Sequence, residues 1–147
     1  MKALATSLAL LVVALGLAGC ESDGASHLIN GNTQALSVVR QKSHPWAAWQ
    51  LHLVVRNDPV CQRRHRMKDV KGNTQVDLYS PGAGAYILRQ GEDWYVTELQ
   101  SCGFEQYKRP PAVPGDLIGS FAVRNQQYSF EAAPGAGKAR TKSGDGS

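Results

Sequence analysis

Short stretches in which apolar and polar residues alternate constrain the fold of this chain more than any other feature. The clearest runs through residues 49–56, where Trp49, Leu51, Leu53 and Val55 take every second position. Successive side chains of a β-strand point to opposite faces, so a period of two predicts a half-buried strand, whereas a helix would show a period of 3.6. Residues 76–79 repeat the pattern, and Ser80-Pro81-Gly82 ends it.

Two pairs of apolar runs, each joined by a short polar segment, predict β-hairpins. Residues 86–88 and 94–96 flank Gln90-Gly91-Glu92-Asp93, and residues 117–123 and 128–130 flank residues 124–127. Further strands are expected at residues 36–39 and 64–70. With about six to eight short strands, the chain is predicted to be all-β, as a small antiparallel sandwich or a partly open barrel.

The first twenty residues have a different composition, that of an export signal. Lys2 gives a positive start, and residues 3–15 are almost wholly apolar, which is shorter than the roughly 20 residues that cross a bilayer. The stretch ends in Leu17-Ala18-Gly19-Cys20, which resembles the lipobox of bacterial lipoprotein precursors. The resemblance implies that residues 1–19 are removed, that the Cys20 thiol receives diacylglycerol, and that its new amine receives a fatty acid such as palmitate. The alternative is an ordinary secretory signal that leaves Cys20 free.

A lipidated Cys20 places the protein at a membrane, because two or more acyl chains hold essentially permanently. Glu21 follows the cysteine. In lipoproteins of Gram-negative bacteria an aspartate there commonly means retention at the inner membrane. For a Gram-negative host, the resemblance therefore implies the periplasmic face of the outer membrane.

Composition divides the rest of the chain into three parts. Residues 20–33 are small and polar and predict a lipidated cysteine followed by a flexible tether. Residues 34–132 predict a single all-β periplasmic domain, since the length suits one core rather than two. Residues 133–147 contain no large apolar residue and predict a disordered tail.

The cysteine count predicts one disulfide bond. The chain has three cysteines, and lipidation would use Cys20. Cys61 and Cys102 remain, and disulfides persist in the oxidising periplasm. Closing a loop of about 42 residues would stabilise the fold by roughly 4 kcal/mol on the chain-entropy model.

A basic segment, residues 60–71, is the sharpest candidate for a binding site. It contains Arg63, Arg64, Arg66, Lys68 and Lys71 against Asp69, a net charge of +4 that equals the formal excess of the whole chain. Arginine forms bidentate hydrogen bonds with phosphates and carboxylates. Candidate anions are lipopolysaccharide phosphates, lipid headgroups, acidic glycans and incoming DNA. The alternative is a solvated strand whose charges protect a sheet edge, with Arg64, Arg66 and Lys68 on one face and Arg63, His65 and Met67 on the other.

The sequence offers little support for a metal site or for catalysis. None of the histidines at positions 27, 44, 52 and 65 pair at the spacings typical of metal ligands. No G-x-S-x-G nucleophile motif occurs. We therefore expect no metal and no cofactor, and we expect that the protein is not an enzyme.

These features predict a lipid-anchored cell-envelope lipoprotein that acts as a binding or accessory subunit. Its expected partners are the membrane and an envelope protein or anionic envelope polymer, but not intracellular nucleic acid. One alternative is a periplasmic inhibitor of a lysozyme-like enzyme, similar in build to small disulfide-bonded β lipoproteins that block lysozyme. The net positive charge of this chain argues against that alternative, because lysozymes are usually basic and like charges repel. The other alternative is an envelope hydrolase whose carboxylates the sequence does not place.

Overall fold

The computed structural model describes residues 20–73 and 75–136, and within them the chain forms ten strands and no helix. The strands are β1 (Glu21–Asn30), β2 (Gln34–Lys42), β3 (Gln50–Asn57), β4 (Cys61–Arg66), β5 (Val76–Gly82), β6 (Ala85–Gln90), β7 (Asp93–Glu98), β8 (Phe104–Gln106), β9 (Asp116–Arg124) and β10 (Gln127–Ala132). The all-β prediction is confirmed, with more strands than expected. The predicted signal peptide, residues 1–19, lies outside the described residues, as do residues 137–147 of the predicted tail.

The strands form two antiparallel sheets that share one core. The first sheet has the order β1-β2-β3-β4, and the second has the order β10-β9-β5-β6-β7-β8. The core combines apolar side chains from both sheets, among them Leu36, Val38, Leu51, Leu53 and Val55 from the first and Val76, Leu78, Leu88, Tyr95 and Phe121 from the second. The sheets therefore pack face to face as a sandwich, and the apolar residues of the alternating runs form its interior.

Both predicted hairpins are confirmed. Strands β6 and β7 pair up to Gln90 opposite Asp93, and β9 and β10 pair up to Arg124 opposite Gln127. In the second hairpin, Asn125 and Gln126 have positive φ values of 50° and 64°. Two consecutive residues in that region match the type I′ turn, whose twist suits a two-residue hairpin.

The structure differs from the predicted domain boundary on the N-terminal side. Residues 20–33 contain β1 rather than a flexible tether, and β1 pairs with β2 from Glu21 onward. The composition was misleading because backbone pairing does not need apolar side chains, and only Ala25 and Ile29 of β1 pack against the core. Beyond β10, Ala133 donates its backbone N–H to the Ile118 carbonyl at 2.7 Å, so ordered structure continues into the first part of the predicted tail.

The antiparallel register places the turns at two opposite ends of the sandwich. The Cys20 end comprises residues 20–21, 43–49, 67–73, 75, 91–92 and 125–126. The disulfide end comprises residues 31–33, 58–60, 83–84, 99–103 and 115–116. Residue 20 is therefore next to the β2–β3 loop, and both cysteines of the predicted disulfide lie at the opposite end.

Candidate functional site

The predicted disulfide is confirmed and fixes the strand that carries the basic segment. Cys61, the first residue of β4, is bonded to Cys102 between β7 and β8, with Cα atoms 6.0 Å apart. The bond joins the edge of the first sheet to the second sheet. His65 strengthens this junction, because its Nε2 lies 2.8 Å from the Cys102 carbonyl oxygen and its ring stacks on Phe104 at 4.9 Å.

Strand β4 is the edge strand of the first sheet, and its side chains follow the predicted alternation. His65 is half-buried and Met67 is buried, whereas Arg64 and Arg66 are exposed on the outer face. Arg63 is also exposed, although it shares the phase of His65. An edge strand has open space beside it, so a long side chain of the inner phase can still reach solvent.

Arg64 belongs to a polar cluster on the outer face of the first sheet, which we call the outer-face cluster: Gln41, His52 and Arg64. The Nη2 of Arg64 donates to Gln41 Oε1 at 3.2 Å and lies 3.1 Å from His52 Nδ1. Because a guanidinium can only donate, Nδ1 must accept, and the His52 ring is neutral with its proton on Nε2. Partial burial, followed by repulsion from Arg64 and Arg66, lowers the pKa of His52 below its ordinary value.

The five basic side chains do not form one site. Arg66 forms an ion pair with Asp69 at 2.9 Å, and Lys68 forms another with Asp93 at 3.2 Å. Lys71 lines a cleft at the Cys20 end. Across residues 20–73 and 75–136, Arg63 and Arg64 make no ion pair. The segment therefore contributes two unpaired arginines of opposite phase to the exposed edge strand β4, and one lysine to a different surface.

The cleft beside residue 20 was not found from the sequence. It encloses about 620 Å³ and is lined by Glu21, Asp23, Arg40, Lys42, Pro45, Trp46, Ala47, Trp49, Lys71, Gly72, Asn73, Val123 and Gln126. Trp46 stands on its rim with 84% of its surface exposed. Trp49 is buried at its base and has Lys42 Nζ 4.4 Å from its ring centroid.

Arg40 forms the buried wall of this cleft. It is 4% exposed, and its guanidinium carbon lies 4.2 Å from the ring centroids of both Trp49 and Tyr128. Its Nε and Nη2 donate to the two carboxylate oxygens of Asp23 at 2.8 and 2.6 Å. The sequence did contain a signal: Arg40 occupies the apolar phase of β2, two residues after Val38. An arginine in that phase indicates a buried, paired cation.

Comparison with known proteins gives this chain no family. It matches no family model, no curated protein and no solved structure. The part that the structure describes contains no group of three or more histidine, cysteine, aspartate or glutamate side chains that could hold a metal ion. The same part has no helix with the length and apolar character needed to cross a bilayer. The surface around Arg63 and Arg64 and the cleft beside residue 20 are thus the candidate sites.

Proposed function

We propose that this protein is a lipid-anchored cell-envelope lipoprotein that acts by binding, attached through Cys20 and contacting an anionic partner with the outer side of β4. The supporting observation is the pair Arg63 and Arg64, both exposed and without a carboxylate partner in the described residues. Two neighbouring cations of the same segment do have such partners, since Arg66 binds Asp69 and Lys68 binds Asp93.

Arg64 is held ready for a ligand. Both of its hydrogen bonds, to Gln41 and His52, involve Nη2, so its Nε and Nη1 donors make no hydrogen bond within the described residues and are available to a partner. A guanidinium already fixed by neighbouring side chains loses less conformational entropy when it binds. These donors suit the paired oxygens of a carboxylate or phosphate.

The shape of this surface favours a large partner. Arg63 and Arg64 lie on an open sheet edge, and the clefts of about 450 and 620 Å³ are both lined by other residues. An envelope protein with an acidic face, or an anionic polymer, can cover such a surface, whereas small ligands usually need a concave site. The same arginines would also discourage unwanted strand pairing at the edge, and the experiment must separate these roles.

Crosslinking in living cells tests the binding surface. A photoreactive residue is placed at Gln62, which is exposed beside the arginines, or at Gln127 on the edge strand of the second sheet. We expect adducts from position 62 alone. They should disappear in Arg63→Gln/Arg64→Gln and persist in Arg66→Gln/Arg124→Gln, a variant with the same change in charge. Equal adducts from both positions, or no adducts, would contradict a binding role for β4. The arginines would then serve only to discourage strand pairing at the sheet edge.

Attachment is tested separately by Cys20→Ser. We expect this variant to leave the membrane fraction and appear among the soluble envelope proteins, because it lacks the thiol that would carry diacylglycerol. A Cys20→Ser protein that stays with the membrane would contradict the proposed anchor without affecting the crosslinking result.

A further inference from the structure

We propose that the Cys20 end of the sandwich rests on the anionic lipid headgroups of its membrane, with Trp46 as the residue that enters the interface. The inference rests on the lipid attachment proposed for Cys20. It goes further, because a lipid anchor alone leaves open which surface of the domain meets the bilayer.

Chain connectivity brings the β2–β3 loop to the membrane. Strand β1 begins at Glu21, whose carboxylate forms an ion pair with Lys42 at 3.1 Å, and Lys42 also donates to the Pro45 carbonyl at 3.3 Å. Consecutive Cα atoms are only about 3.8 Å apart. A lipid on Cys20 would therefore be joined to this end of the folded domain without a spacer, so residues 43–49 stay close to the headgroups.

Trp46 has the exposure and chemistry of an interfacial residue. It is the most exposed of the large apolar side chains in the described region, at 84%. A turn in which Ala47 N–H donates to the His44 carbonyl at 3.0 Å holds it outward, and its ring contacts the His44 ring at 4.9 Å. Tryptophan is enriched where membranes meet water, because its ring is apolar and its indole N–H is polar.

The distribution of charge orients the domain in the same direction. At the Cys20 end, the cleft carboxylates Glu21 and Asp23 are already paired with Lys42 and Arg40. The charged groups there that have no oppositely charged partner in the described chain are Lys71, Lys108 and Arg109 against the single carboxylate of Glu92, so the unpaired charge at this end is positive. The disulfide end has the opposite sign.

There, Glu98 and Asp116 lie without a cationic partner within residues 20–73 and 75–136. Basic residues next to an anionic membrane surface are attracted to it, and acidic residues are repelled. Both ends therefore favour the orientation with Trp46 toward the lipid.

Tryptophan quenching tests the contact. The lipidated protein, residues 20–147, is reconstituted into vesicles of phosphatidylcholine and phosphatidylglycerol whose acyl chains are brominated near the headgroup. We expect quenching of the wild type, nearly complete loss of that quenching in Trp46→Phe, and its retention in Trp94→Phe. Lys71→Gln should weaken the quenching more than Arg56→Gln, which removes the same charge near the disulfide end.

Two readouts keep the anchor and the orientation apart. Co-sedimentation with vesicles reports attachment, and quenching reports contact. Attached protein with equal quenching in wild type and Trp46→Phe, or with quenching lost only in Trp94→Phe, would overturn the proposed orientation and leave the anchor intact. Protein that fails to co-sediment would overturn both the proposed anchor and the proposed orientation.

Discussion

Two diagonally opposite corners of the sandwich join its sheets by different means. At the disulfide end, Cys61 of β4 is covalently bonded to Cys102, and Asn57 Nδ2 nearby donates to the Leu99 carbonyl at 2.8 Å. At the Cys20 end, the join is non-covalent. Arg40 of β2 lies against Tyr128 of β10 and is held by Asp23. Ring contacts also join the edge strands of the two sheets: His65 of β4 contacts Phe104 of β8, and His27 of β1 contacts Phe130 of β10.

The comparison separates two sources of stability. A disulfide acts mainly by restricting the unfolded chain, whereas a buried cation depends on the partners that surround it in the folded state. Burial of Tyr128 raises the pKa of its hydroxyl, and Arg40 partly opposes that shift. The hydroxyl makes no hydrogen bond within the described residues. The non-covalent corner therefore depends on Asp23 and on two aromatic faces.

The largest expected effect is on the covalent corner. Cys61→Ser/Cys102→Ser should lower the free energy of unfolding by about 4 kcal/mol, because the lost bond closes a long loop of the unfolded chain. Urea denaturation of oxidised wild type and the double variant measures the difference. Reduced wild type should match the variant. A loss below about 1 kcal/mol in the free energy of unfolding would contradict a main stabilising role for the disulfide bond.

The next effect breaks the non-covalent corner. Asp23→Asn should cost about 2 kcal/mol, because it leaves the Arg40 guanidinium buried without its counter-charge. The cost should fall short of that for a fully buried pair, since the Asp23 side chain is 37% exposed. Urea denaturation also tests Arg40→Met/Asp23→Asn, which should recover part of the loss, and Glu21→Gln at the more exposed Lys42 pair, which should change stability by less than about 0.5 kcal/mol. Equal losses for Asp23→Asn and Glu21→Gln would contradict a special role for Arg40.

The smallest expected effect is on the outer-face cluster, where mild acid should lower the free energy of unfolding through His52, unlike the changes at the two corners. The lowered pKa of His52 means that the unfolded chain binds its proton first, so stability is lost as the pH falls through the ordinary value of 6.5 toward the folded-state pKa. We expect this loss to be below about 1 kcal/mol, because the ring is partly solvated. Between about pH 7.5 and 5, the free energy of unfolding should depend less on pH in His52→Gln than in wild type. An unchanged slope would assign the acid response to another group.

The alternation of residues predicted most of the sandwich, and the failures have physical causes. Strands β3, β5 and β9 bury one side against the core, so their apolar residues mark them. Strand β1 pairs through its backbone and buries little, and β8 has only three residues. Neither provides a pattern long or apolar enough to be recognised.

The candidate site could be predicted only in part. The alternation predicted that Arg64 and Arg66 share one face of their strand, and the number of cysteines predicted the pairing of Cys61 with Cys102. The pairing of Lys68 with Asp93 depends on a residue 25 positions away that the fold brings within 3.2 Å. The cleft likewise combines residues from several strands and loops, and no local pattern contains that combination.

The direct passage from Cys20 into β1 has a mechanical consequence. The strand pairs with β2 along its length, from Glu21 opposite Lys42 to Asn30 opposite Gln34. A pull at Cys20 along the strand axis loads these hydrogen bonds together in shear. A sideways pull would peel them apart one after another, because β1 is an edge strand. With the anchor and orientation proposed above, tension from the membrane would act along the stronger direction.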